Sequence, residues 1–274
     1  MNAGHVSIKD VLYEEPGPKL KKRIKAVTAM STVLIILLFA LMVHRFYITG
    51  QLDGKYWFFF GRLSTWRFLF RGLIGTVEVA LTSGVLAFIL GFILMTGRIS
   101  GKKAAVKICT ALIEFTRGVP TLLFVYFFFL VAPQFGLKLA SFWKITLPVA
   151  LSACGVVAEV LRSGVNAVPK GQREAALSLG MVERKVFLKI VFPQAFRYVI
   201  PALLSELVIV VKDTTFAYVV NFPDLMQNAS VLISNYDAML SVYLLAAVIY
   251  IIINYLLNKA AAYYAGHRKE RSLL

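Results

Sequence analysis

Pro169-Lys170-Gly171-Gln172-Arg173-Glu174-Ala175-Ala176-Leu177-Ser178-Leu179-Gly180 is a polar, helix-forming insert between two apolar runs of membrane length, and Pro193-Gln194-Ala195 opens the second of those runs. Pro169 ends the preceding run and Gly171 permits a sharp turn. Residues 174–179 are strong helix formers with an acid in the first turn. Gly180 can close this short helix in the left-handed conformation. A second segment, 183–191, places Val186, Phe187 and Ile190 at helical spacing, which predicts apolar teeth for a groove on another protein. Crossing a bilayer requires none of this, so the pattern calls for a partner on the water side.

The rest of the chain sets the solvent. Of the 274 residues, 59% are hydrophobic and mean hydropathy is +0.74, well above the share found in soluble domains. These values predict an all-α integral membrane protein with six transmembrane helices, expected near 26–43, 69–96, 111–131, 145–165, 192–211 and 239–257. The expected segments are a cytoplasmic 1–25, an additional N-terminal helix over 26–48, a membrane domain over 69–258 with its loop at 166–191, and a basic tail over 259–274. Lys19, Lys21, Lys22, Arg23 and Lys25 precede the first run. Further bases gather in 97–107, in 166–191 and in the tail at Lys259, Arg268, Lys269 and Arg271. By the positive-inside rule both termini are cytoplasmic in a multi-pass chain of the plasma membrane.

The net charge of +16 flanks apolar runs and forms no aromatic-laced stripe, which excludes nucleic acid as a partner. Cys109 and Cys154 lack metal or disulfide spacing and read as buried thiols. His5, His44 and His267 fall outside the span interiors or at an edge, so no intramembrane catalytic constellation is expected, and no catalytic or metal residue is assigned. Residues 97–103 fail the phosphate-loop pattern. The segment 50–71 breaks the charge rule with Lys55, Arg62, Arg67 and Arg71 amid eight aromatics. It reads either as an interfacial helix or as a rim for an extracellular partner or an anionic solute.

Charges inside spans are costly and mark partners or wet cavities. Glu114 with Arg117, and Glu159 with Arg162, are three apart and share helix faces; each is either an internal pair or part of a coupling surface. Glu78, Glu206, Lys212, Thr214 and Thr215 are candidates for a solute pathway, with irregular backbone expected after Val211. Lys212 could meet a substrate carboxylate or neutralise Glu206, Asp213 or Glu78.

Glu174-Ala175-Ala176, Gly180, Phe187, Ile190, Pro193-Gln194-Ala195, Arg197 and Pro201 resemble the EAA loop of bacterial ABC-importer permeases. Lys170-Gly171-Gln172, Ala158-Glu159 with Arg162, and Arg117-Gly118-Val119-Pro120 look like the polar amino acid uptake branch for histidine, glutamate, glutamine or arginine. The resemblance covers about 200 residues, from Gly72 onward. It implies a type I permease core with a coupling helix in which Lys170, Gly171, Glu174, Ala175, Ala176, Leu179, Gly180 and Phe187 meet the ATPase. It also implies a cytoplasmic ABC ATPase dimer that carries the ATP and Mg, a second permease subunit that is a paralogue, an extracellular solute-binding protein, and contact with membrane lipid. The chain itself needs no cofactor. Departures stand at Val156, at Ser205 or Glu206, and at Lys212-Asp213-Thr214-Thr215-Phe216, where relatives carry other residues. The stretch 11–19 is similar to the start of glutamate-type permease subunits, which implies glutamate as the solute, with glutamine or cationic amino acids as the alternative. A secondary transporter would show interrupted helices in both halves, and the insert here has no counterpart in the first half.

Overall fold

A computed structural model describes residues 17–271, with 266–271 described as backbone only. His5 and residues 11–16 lie outside the described residues, as do the side chains of His267, Arg268, Lys269 and Arg271. The chain divides into two compact units at Tyr56. In the first, helix α1, Pro18–Ile48, starts on a proline at its first position and has no buried residue. A short 3-10 turn, Gly54–Tyr56, comes after it.

The second unit is a helical bundle. Its first long helix, α2, Leu63–Arg98, begins six residues earlier than expected. Gly72, Gly75, Thr76, Ala80, Ser83, Ala87 and Gly91 form a buried stripe at helical spacing along it. Small residues let helix backbones approach closely in lipid, where packing rather than the hydrophobic effect drives association. At Gly91 an added Cβ would stand 2.8 Å from the Val157 side chain and 2.9 Å from the Cys154 carbonyl oxygen of helix α5, Ser141–Ala167. The two helices therefore touch through backbone, and Ser83 donates to the Thr146 carbonyl at 3.1 Å.

Between them the structure departs from the expected continuous span over 111–131. Helix α3, Lys103–Gly118, and the helical stretch Thr121–Phe135 meet at 97°. Val119 is extended (φ −92°, ψ 124°) because the ring of Pro120 disfavours the α region for the residue before it. Beyond the bend, α4, Thr121–Tyr126, passes into a π turn, Phe127–Val131, and a 3-10 turn, Ala132–Phe135. The expected cytoplasmic loop at 97–107 shrinks to 99–102, since α3 already starts at Lys103.

After α5 comes the insert, α6, Lys170–Ser178, and then α7, Glu183–Val186. A π turn, Phe187–Val191, carries α7 into α8, Phe192–Asp213, so Glu183–Val220 runs as one helical rod of 38 residues. The backbone does not break after Val211; the helix tightens into a 3-10 turn, Thr214–Val220. Helices α9, Leu225–Tyr236, and α10, Met239–Arg271, complete the bundle. Among the described residues, five helices are long and apolar enough to cross a membrane, and the bent pair supplies a sixth candidate. The sites lie where α2, α5 and α8 meet, on one buried cluster that includes Val79, Ala87, Met95, Val157, Leu161 and Val210.

Candidate functional site

The insert presents one face to the bundle and one to solvent. Ala176 is buried among Val168, Val186, Val191 and Ala195. Lys170, Gly171, Glu174, Ala175 and Gly180 are exposed. Gly180 has φ +78°, a conformation that costs glycine nothing and ends α6 sharply. Arg173 ties the two short helices together, donating to both carboxylate oxygens of Glu183 at 3.2 and 2.5 Å. One expectation is corrected here. Val186 is fully buried, and Phe187 and Ile190 pack inward, with Phe187 against Phe192 at 5.8 Å between ring centres. The apolar groups that face outward are Leu179, 83% exposed, Val182 and Leu188.

Deeper in the bundle, the two expected helix pairs are parts of one network. Glu159 accepts from Arg162 Nε at 2.9 Å and Nη2 at 2.7 Å, and its other oxygen accepts from Arg98 of α2. Arg117 of α3 lies 4.0 Å from that same oxygen and 3.9 Å from Glu114. One carboxylate thus joins the ends of α2 and α3 to α5. Sequence spacing could not reveal that Arg98, 61 residues away, meets this carboxylate.

The pathway candidates separate into two settings. Glu206 is buried and lines a cavity of about 350 Å³ between α2 and α8, walled by Leu81, Val85, Phe88, Val157 and Leu203. Glu78 is exposed on α2, at i−3 and i−7 from Leu81 and Val85, which puts it on the stripe that walls this cavity. Lys212 is exposed, and no carboxylate lies within 4.0 Å of it among the described residues; it does not pair with Glu206, Asp213 or Glu78. Thr214 is buried and donates to the Val211 carbonyl at 2.8 Å, with the Tyr250 hydroxyl also in hydrogen-bond contact, and Thr215 donates to the Lys212 carbonyl at 2.6 Å. A polar group that sequence reading missed is Thr121, which bonds Ser152 at 2.7 Å and Asp213 at 2.8 Å and ties α4 to α5 and to the end of α8.

A second missed cluster sits at the far end of α2. Asp224 is fully buried, caps α9 by accepting from the Gln227 amide at 2.7 Å, and receives the Tyr250 hydroxyl at 3.4 Å. Burial pushes its carboxyl up to about 6, since desolvation penalises the charged form. Beside it the Leu225 amide donates to Thr76 Oγ1 at 3.1 Å, and Asn228 donates to the Phe68 carbonyl at 2.7 Å. Cys154 is buried as expected, but Cys109 is only half-buried.

Residues 85–267 match the family of binding-protein-dependent transport system inner membrane components. The chain is 35% identical over 232 residues to the glutamate transport system permease protein GluD of Corynebacterium glutamicum, covering 82% of each chain. It is 32% identical over 197 residues to the probable glutamine ABC transporter permease protein GlnP of Bacillus subtilis, covering 71% of this chain and 90% of that one. The fold is similar to a solved amino acid ABC transporter crystallised with histidines, at a TM-score of 0.69 and 26% identity, covering 75% of this chain and 96% of that one.

Proposed function

Because the chain belongs to the binding-protein-dependent transport system inner membrane components, as the permease subunit of an amino acid ABC importer, we propose that its solute is glutamate. The observation that carries this reading is the 35% identity to a glutamate permease protein along 82% of both chains. ATP hydrolysis belongs to a cytoplasmic ATPase dimer, which holds the ATP and Mg. A paralogous permease fills the second membrane position, an extracellular binding protein delivers the solute, and both termini are cytoplasmic.

The geometry supports a division of labour within the chain. Glu174 on α6 and Leu179 at its C-cap form the handle for the ATPase. Arg173–Glu183 and the buried Ala176 fix that handle to the rod Glu183–Val220. A push on the handle therefore moves α8, and with it the wall of the Glu206 cavity, relative to α2. Two-state rocking of packed helices of this kind gives alternating access. A glutamine or cationic solute has one observation in its favour. Glu206 lines the cavity between α2 and α8, where an acid favours an ammonium group over a second carboxylate.

The test is uptake by proteoliposomes holding the whole assembly and its binding protein, with labelled glutamate, glutamine, arginine and histidine compared. ATP-dependent preference for glutamate is expected; preference for a cationic amino acid overturns the assignment. Glu174→Lys is expected to reduce both uptake and co-purification of the ATPase. If both stay at the wild-type level, α6 is not the handle.

A further inference from the structure

A groove of about 670 Å³ runs between the first three turns of α2 and the middle of α10, floored by Leu69, Phe70, Leu73, Ile74 and Ile249. It lies at the end of the bundle opposite the insert, because the other end of α2 reaches Glu159, and Thr96 and Ile99 line a cavity with Arg173 and Phe187 of the insert region. Its rim carries Arg67 and Arg71, which are four apart and stand over the same helix face. Both are exposed, and neither makes an ion pair or hydrogen bond among the described residues.

Trp66 stands in the same wall. Its indole Nε1 donates to the Phe60 carbonyl at 2.7 Å, and Thr65 donates to the Phe59 carbonyl at 2.8 Å. Phe59 is itself fully buried and stacked on Tyr236 of α9, with ring centres 4.4 Å apart and planes 4° apart. These contacts hold the ring of Trp66 at the start of α2, and tryptophan is enriched at membrane–water interfaces. Arg67 is the next residue and Arg71 lies one turn deeper, within snorkelling reach of that interface. The apolar floor continues from there toward the bilayer interior.

We infer that this groove is a binding site for an anionic phospholipid, with the phosphate held between Arg67 and Arg71 and an acyl chain laid along Phe70, Leu73, Ile74 and Ile249. Two unpaired guanidinium groups above an apolar channel match a molecule that is anionic at one end and hydrocarbon at the other. Guanidinium groups bind phosphate oxygens through paired N–H donors. The same feature accounts for a run of bases on the side of the membrane where the positive-inside rule disfavours them. This inference is independent of which amino acid the importer carries.

The experiment is native mass spectrometry of the assembled importer released from nanodiscs of equal parts phosphatidylglycerol and phosphatidylcholine. The wild type should retain phosphatidylglycerol selectively. In Arg67→Gln/Arg71→Gln its affinity should fall about 30-fold, two basic contacts' worth at a membrane surface. Ile249→Trp, which keeps both charges and fills the floor, should also lower retention, and it serves as the second variant if the arginine pair fails to assemble. Free phosphate should not compete. Equal retention of the two lipids, unchanged retention in both variants, or competition by free phosphate overturns the inference.

Discussion

Glu159 sets one carboxylate against Arg98, Arg162 and, at 4.0 Å, Arg117. The Arg98 and Glu159 side chains are about one-fifth exposed, so both are largely desolvated, whereas Arg117 keeps 43% exposure. Removing the acid strands the desolvated Arg98 and also releases Arg162, which is 36% exposed, while removing Arg117 costs one long, solvated contact. Glu159→Gln should therefore destabilise the protein by about 2 kcal/mol, below the full cost of breaking a buried pair because of the residual exposure. Arg117→Gln should cost under about 1 kcal/mol. Thermal unfolding in detergent ranks the two, and equal losses would mean that Glu159 is not the hub of these contacts. Asp224 makes a pH prediction. Its carboxyl is raised from 3.8 to about 6, so the folded chain binds the proton more tightly than the unfolded one does. Its contribution is therefore fully present below about pH 4, falls as pH rises toward 6, and is flat above. Asn keeps the N-cap but cannot ionise. The stability of Asp224→Asn relative to wild type should thus climb between pH 4 and 6, by up to about 3 kcal/mol. A difference that does not vary with pH refutes this.

At the level of elements, α6 has two faces with separable consequences. Ala176→Leu forces extra carbons into a closed pocket of Val168, Val186 and Val191, and should lower stability by about 1–3 kcal/mol. Leu179→Asp changes a side chain that is 83% exposed, and should leave the melting temperature unchanged while reducing ATPase co-purification. If the two variants behave alike, the inner and outer faces have been misassigned. The residues and spacing of the insert made α6, its closing glycine and its resemblance to the coupling loop legible from sequence, because helix formers, caps and turns act locally. The inward packing of Val186, Phe187 and Ile190 was not legible, since helical spacing defines a stripe and not the neighbour it meets. The bend at Val119–Pro120 was half legible: hydropathy saw one apolar run over 111–131, while the proline that breaks it carried the contrary signal. The Thr121–Ser152–Asp213 and Asp224–Tyr250 contacts join residues 26 to 92 positions apart, and a lone chain carries no pattern at that range.

Across the whole molecule, Glu78 and Lys212 stand exposed on apolar helices, a costly arrangement unless water or another subunit meets them in the assembly. With Cys109 and Cys154 replaced by Ser, Lys212→Cys in the complete importer should react with a charged thiol reagent, and ATP should change the rate. Resistance in every nucleotide state would place Lys212 against lipid and remove it from the pathway. The rod that links handle to cavity has a further property, which is angular. An α-helix turns about 100° per residue, and a π turn takes up one extra residue without rotating the helix beyond it. The turn Phe187–Val191 therefore acts as an index: it sets the direction in which Glu206 points relative to Val186. Deleting one residue within 187–191 should straighten the turn and leave both directions unchanged, so that uptake survives. Deleting two should swing the acid about 100° off its cavity and stop transport while the ATPase still binds.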